Sequence, residues 1–255
     1  MVSSIEPSTI LSPLHRVDGS ASFSQNGYTI IGAVNGPIEV QRRDELPEEA
    51  AIDVIVRPAA GVGGTRERHL EAILQSSLRQ IILIHNFPRT LIQVTLQITS
   101  TPENDTAWSK LVQASSNLPL LPALLQTSVL TLLSASIPLS MTMTSVLLAL
   151  KNTEKGTTII ENLTPLDCQD AASVHVLAFT SHGELLVAES EGSFDLDEWE
   201  EVYEHGKGLC CKGHGLAEDD TMHEDGLENE APSSMMMFVK SAVQEKVATD
   251  LHWKG

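Results

Sequence analysis

From Leu70 onward, apolar residues recur at steps of three and four. Leu70, Ile73, Leu74, Leu78, Ile81 and Ile82 fall on one stripe, with Ser77 as a small filler. This is the pattern of a helix that buries one face. The spacing predicts a helix opening at Arg66 and stopped by Asn86-Phe87-Pro88-Arg89-Thr90, because proline cannot donate and holds Phe87 away from helical angles. Past that corner the period changes to two. Ile92, Val94, Leu96 and Ile98 alternate with Gln93, Thr95, Gln97 and Thr99, which predicts a half-buried strand. A helix beside such a strand is the seed of an α/β core.

The same reading extends along the chain. Residues 1–17 read as an arm or early strand, and Asn26-Gly27 is a hairpin turn that favours positive φ. Tyr28 to Val34 is β-rich, Gly36-Pro37 marks a break, and Ile38 to Gln41 resumes extended structure. Ala51 to Arg57 alternates as another strand. Pro122 to Ser136 predicts a buried helix, Met141 to Leu150 a strand, and Thr157 to Asn162 a short strand after the Lys155-Gly156 turn. Ser173 to Thr180 and Glu184 to Ser190 form a hairpin, and Asp195 to His205 a helix with acidic residues in its first turn. Met235 to His252 closes the chain as an amphipathic helix, with Phe238, Val239, Ala242, Val243, Val247 and Leu251 on one side. Residues 1–206 and 233–255 thus make one α/β domain, and 207–232 an acidic, disordered insertion.

Composition refines this picture in three places. The net charge of −18 is local: Glu184 to Glu230 holds 16 acidic residues against Lys207 and Lys212, leaving the remainder at −4. The charge therefore does not exclude a nucleic-acid role for the body of the protein. The three cysteines, two of them adjacent at Cys210 and Cys211, do not make a secreted disulfide framework. Met1 to Ser12 lacks the basic and apolar runs of a signal peptide. No charged residue lies between Lys110 and Lys151, yet Gln113, Asn117, Pro119, Pro122, Gln126 and Pro138 punctuate the window, so it reads as buried helix and strand rather than as a membrane span.

Candidate chemistry is sparse. His205, Cys210, Cys211 and His214 do not match zinc-ligand spacing, since adjacent cysteines replace the usual C-x₂₋₄-C. No Gly-x-Ser-x-Gly elbow presents a nucleophile, and nothing points to a cofactor. Arg57, Arg66, Arg68, Arg79 and Arg89 form no dense stripe, so any RNA contact falls on phosphates without sequence preference.

Five motifs, in order, carry a resemblance. They are Gly19-Ser20-Ala21-Ser22-Phe23-Ser24-Gln25, the Gly-Pro of Val34-Asn35-Gly36-Pro37-Ile38-Glu39-Val40, Arg66-Glu67-Arg68 at the helix start, Pro88-Arg89-Thr90 before the alternating strand, and Leu121-Pro122-Ala123-Leu124-Leu125 opening the buried helix. Together they resemble the ribonuclease PH family, and within it the ring subunits of the RNA exosome. The resemblance implies a ribosomal protein S5 domain 2-like α/β fold, with a mixed sheet packed by helices. It also implies a six-membered ring of related subunits, cap subunits of the S1/KH type, RNA passing through a central channel, and residence in nucleus, nucleolus and cytoplasm.

Active members of the family use phosphate to cleave the terminal phosphodiester of RNA, which needs a cationic, N–H-rich cradle and carboxylates. The resemblance places Pro119-Leu120-Leu121 where active relatives carry Gly-Thr-Arg, so the phosphate site is degenerate. It places Asp167 and Ser173 at the positions of a carboxylate pair, leaving one acid unless the register slips to Asp170. Arg66, with Arg89, is the RNA-contact candidate. Gly64-Thr65-Arg66 spells the missing motif but precedes the wrong helix, and its plain reading is a Gly-rich helix start. The expectation is a non-catalytic ring subunit; an active phosphorolytic enzyme using Arg66 and Asp167 is the alternative.

Overall fold

The computed structural model describes residues 7–43, 45–102, 117–153, 156–161, 163, 165–211 and 234–252. The tip of the Lys155-Gly156 turn, most of the 101–108 excursion, His214 and the acidic run 212–233 lie outside them.

Five strands, β1 (Ser8–Leu11), β2 (Gly19–Gln25), β3 (Tyr28–Glu39), β4 (Ala51–Arg57) and β5 (Thr90–Ser100), form a mixed sheet in the order β1-β2-β3-β5-β4. All its pairs are antiparallel except β4 with β5. That parallel pair is joined by the helix α1 (Thr65–Ile81), as a parallel connection demands. Asn26 and Gly27, both at positive φ (52° and 82°), close the β2–β3 hairpin and set Gln25 opposite Tyr28. A second, antiparallel sheet orders β7 (Gly156–Ile160), β6 (Met143–Thr153), β8 (Ser173–Thr180) and β9 (Leu185–Gly192).

Between the sheets lies α2 (Leu121–Ser134), buried from Leu121 through Leu132. It packs on β2, β3 and β5 on one side and on β6 and β8 on the other. The lack of charge that raised the membrane question is the signature of this central position, and no described helix is long and apolar enough to cross a membrane. A short helix, α3 (Pro165–Asp170), leads into β8, which is buried on both faces because α4 (Leu196–Cys211) covers the side away from α2. The last helix, α5 (Met235–Asp250), rests on β1, β6, α2 and α4.

Four elements depart from the periodic reading. Strand β3 does not stop at Gly36-Pro37 but runs through it. The pairing with β5 shifts register between Asn35 and Ile38, a bulge absorbs the proline, and the Gly36–Pro37 peptide is cis. Helix α1 ends at Ile81, well ahead of Pro88, because the 138–140 turn captures its end. Ser140 N donates to Ile81 O (2.7 Å) and Leu83 N to Pro138 O (3.1 Å). Helix α4 continues past His205 to Cys211, so residues 207–211, assigned above to the insertion, belong to the domain. Val202, Gly206 and Cys210 line its buried face at four-residue steps, and burial pushes the Cys210 thiol up to about 12. Helix α5 buries only its first turns through Met235, Met236 and Val239, with Phe238 edge-on to Phe23. Val247 (48 % exposed) and Leu251 (43 %) stand largely in solvent, while Ala242, Glu245, Lys246 and Thr249 border a groove with Thr9 to Leu11.

Candidate functional site

A cleft of about 420 Å³ opens where three elements meet. The start of α1 supplies Thr65, Arg66, His69, Leu70 and Ile73; the turn before α2 supplies Asn117, Leu118 and Leu121; the outer strand β9 supplies Glu189, Ser190 and Glu191. The fold thus brings Arg66 to the Pro119-Leu120-Leu121 turn, 53 residues further along the chain at its nearest member.

That turn is poorly built to hold an oxyanion. Residues 118–120 form a single 3₁₀ turn that runs into α2. Pro119 and Pro122 have no N–H. The N–H of Leu120 donates to Asn117 O (3.2 Å) and that of Leu121 to Leu118 O. None of the four backbone positions from 119 to 122 therefore has a free donor, and their side chains carry none. Leu121 is wholly buried and Leu120 packs against the core. The other helix start in the cleft carries its own carboxylate. Gly64 N donates to Glu67 Oε2 (2.6 Å), so Glu67 takes one N–H at the start of α1 and sets its negative charge against the helix dipole there. Gly64-Thr65-Arg66 is thus a helix start, although Thr65 and Arg66 do face the cleft.

Charge points the same way. Glu189 and Glu191 oppose Pro-Leu and Arg66 with two carboxylates, so the wall facing an incoming phosphate would be negative. These two residues, alternating on an outer strand, were passed over in the sequence because their positions became meaningful only when β9 was placed beside α1.

The remaining candidates are scattered. Asp167 sits half-buried in α3 and Ser173 is buried at the start of β8; neither lines the cleft. Asp170 is exposed at the end of α3. Ser173 instead pairs its Oγ with Nε2 of His175 (2.9 Å), whose Nδ1 meets Ser190 Oγ (2.8 Å). His175 is buried and stacked edge-on by Phe194, and burial holds its pKa below the usual imidazole value despite the Glu198 carboxylate. Glu198, in turn, is held below the usual carboxylate range by the N–H of Asp195 and the Thr157 hydroxyl. This Ser-His-Ser ladder left no signal in the sequence beyond the i, i+2 spacing of Ser173 and His175.

Arg89 lies far from Arg66. Its N–H donates to Glu49 O (3.3 Å), and Glu49 also pairs with Arg79 near the C-terminal end of α1. Arg66 and Arg79 stand near opposite ends of α1, about 20 Å apart at 1.5 Å per residue, and Arg89 lies at the Arg79 end. Arg89 pairs with Glu45 (3.3 Å) and Arg68 with Glu71 (3.2 Å). Among the described residues no three His, Cys, Asp or Glu side chains converge as a metal site; His205 meets Glu161, away from buried Cys210.

The model of the 3′ exoribonuclease family, domain 1, matches residues 8–155. The chain belongs to the ribonuclease PH family. Its Saccharomyces cerevisiae relative, named exosome complex component RRP46, is 35% identical over 204 residues, covering 77% of this chain and 86% of that protein. The crystal structure of rice Rrp46 superimposes with a TM-score of 0.65 at 24% identity, covering 80% of this chain and 87% of the other. An Archaeoglobus fulgidus exosome chain, solved with RNA bound to the active site, gives 0.59 at 11% identity over 80% and 84%. Both structures share the fold. The mixed sheet packed by helices is therefore the ribonuclease PH arrangement, as the five motifs implied, and the chain is a homologue of the RRP46 proteins.

Proposed function

We propose that this ribonuclease PH family member is a non-catalytic structural subunit of the RNA exosome core ring. In that role it supports 3′-to-5′ RNA processing and degradation, including maturation of ribosomal RNA. The observation that carries the reading is the turn at 119–122, where two prolines lack N–H groups and the two leucine N–H groups are spent inside the turn. Phosphorolysis needs preorganised donors around phosphate before any proton transfer matters. A lone arginine opposed by two glutamates does not supply them.

The partners proposed are other ribonuclease PH-like subunits in a six-membered ring, S1/KH cap subunits above it, and RNA passing through the central channel. The RRP46 name of the yeast relative supports exosome membership, and the RNA-bound archaeal chain supports RNA contact by proteins of this fold. Residence in nucleus, nucleolus and cytoplasm follows from that role. The second reading, an active phosphate-dependent 3′-to-5′ exoribonuclease, draws on Arg66 facing the cleft.

One experiment separates them. The purified chain is incubated with 3′-tailed RNA, inorganic phosphate and Mg²⁺, and nucleoside diphosphates are measured. No release above background is expected. Release that disappears in Asp167→Asn would establish the enzyme reading instead.

A further inference from the structure

Strand β9 is the outer strand of the second sheet: β8 pairs with one of its edges, and among the described residues no strand pairs with the other. Free edges invite pairing with any extended chain, and charged side chains are a common guard against it. Here the guard has one sign. From Glu184 to Glu204 the chain carries nine acidic residues and no lysine or arginine.

The same strand also borders a cleft. Residues 189–191 form one wall of the cleft, and Leu70, Ile73, Leu118 and Leu121 give it an apolar lining. In the antiparallel register Glu189 lies opposite Val176 and Glu191 opposite Val174, so both carboxylates point to the α2 face, where the cleft is. A strand added beside β9 at the usual spacing of about 4.8 Å would present alternate side chains on the same face as those carboxylates, over the cleft.

We propose that the β9 edge is a strand-addition site for an extended basic segment of a partner protein. Its main chain pairs with β9 while its Lys or Arg side chains reach Glu189 and Glu191. The apolar lining receives their hydrocarbon stems, as long cationic side chains allow. Glu189 and Glu191 thereby select as well as guard: an acidic or neutral strand is repelled or gains nothing, and a basic one is steered in. This inference rests on the reading that the cleft grips no phosphate, and its test is separate from the phosphorolysis assay.

The test is fluorescence anisotropy on the full chain, with the labelled peptide Lys-Val-Lys-Val-Lys-Val-Lys as the probe. Saturable binding is expected that weakens as salt rises. Glu189→Lys with Glu191→Lys weakens it at least tenfold, and so does N-methylation of alternate peptide amides, which blocks main-chain pairing but keeps the charge. Glu200→Lys with Glu204→Lys, on exposed positions of α4, leaves binding within twofold. Circular dichroism checks that each variant is folded. Equal loss in the α4 variant, or full binding by the N-methylated peptide, means diffuse attraction to an acidic surface and overturns the proposal. Displacement of the peptide by oligoadenylate, abolished by Arg66→Ala, assigns the cleft to RNA and overturns it as well.

Discussion

Replacing Gly32 with alanine tests how tightly α2 is held against the first sheet. A Cβ at Gly32 falls 2.4 Å from Thr131 Oγ1, 2.9 Å from Thr127 Cγ2 and 3.2 Å from Leu96 Cδ2. Neither threonine can swing away cheaply: Thr131 Oγ1 donates to Thr127 O, and Thr127 Oγ1 donates to Ala123 O (2.6 Å). The helix must therefore retreat by about 1 Å to restore an ordinary contact of about 3.5 Å. Overpacking of this kind costs about 1–3 kcal/mol, against a gain of about 0.5–1 from replacing a strand glycine. A net loss of about 1 kcal/mol follows, which lowers the melting temperature by about 2–4 °C for a chain of this size. Calorimetry or urea denaturation measures it. The decisive control is a double-mutant cycle. Thr131→Ala removes the clashing oxygen and restores at least about 1 kcal/mol in the Gly32→Ala background, whereas Thr131→Val, which keeps an atom there, does not. An unchanged stability for Gly32→Ala, or zero coupling to Thr131→Ala, would refute the packing argument.

Two further outcomes follow from the site. Leu121→Arg, placing a guanidinium at a wholly buried position, costs about 4 kcal/mol or more and yields no phosphorolysis, while Leu118→Arg, already at the cleft surface, costs less than about 1.5; urea titrations measure both, and near-native stability for Leu121→Arg contradicts the burial argument. His175 is held neutral by burial, so its folded pKa lies below the unfolded one. Its contribution to stability is complete above about pH 6.5 and is lost as pH falls toward the depressed value. Melting curves between pH 7.5 and 5 should therefore fall more steeply for the wild type than for His175→Gln; parallel slopes would show that the buried imidazole does not govern this window.

The elements with strong periodicity were legible because one face of each decides its position. Leu70, Leu74, Leu78 and Ile81 of α1, and Ile92, Val94, Leu96 and Ile98 of β5, are buried as their spacing requires. The misread boundaries have tertiary causes. A residue such as Ile81 ends its helix because a turn nearly 60 positions away donates an N–H to its carbonyl, and Gly36-Pro37 stays in a strand because β3 takes up the extra residue in a bulge against β5. Helix α4 runs on through Gly206 and Gly208, residues that weaken a helix taken alone, because Gly206 serves close approach: a Cβ there would meet Leu177 Cδ1 at 2.9 Å. The lack of side-chain donors at residues 119–122 was visible as residue types. The carboxylate wall was not, because which side chains face Arg66 depends on the register between β8 and β9.

The turn before α2 shows why an anion cradle and a tightly packed scaffold make opposite demands on the same residues. An anion-binding helix start needs N–H groups unpaired and turned outward, and its side chains must stay polar and accessible. Residues 118–122 do the reverse. The N–H groups of Leu120 and Leu121 are taken up in closing a 3₁₀ turn, Pro122 fixes the first turn of α2, and Leu121 enters the core at full burial. Each step toward a better-packed central helix removes a donor from the cleft, since α2 reaches the cleft only through this turn. Restoring polar donors there must reopen the core at the helix on which both sheets rest. The stability of α2 and a working phosphate site thus compete for the same few residues, and this chain has resolved the competition toward packing.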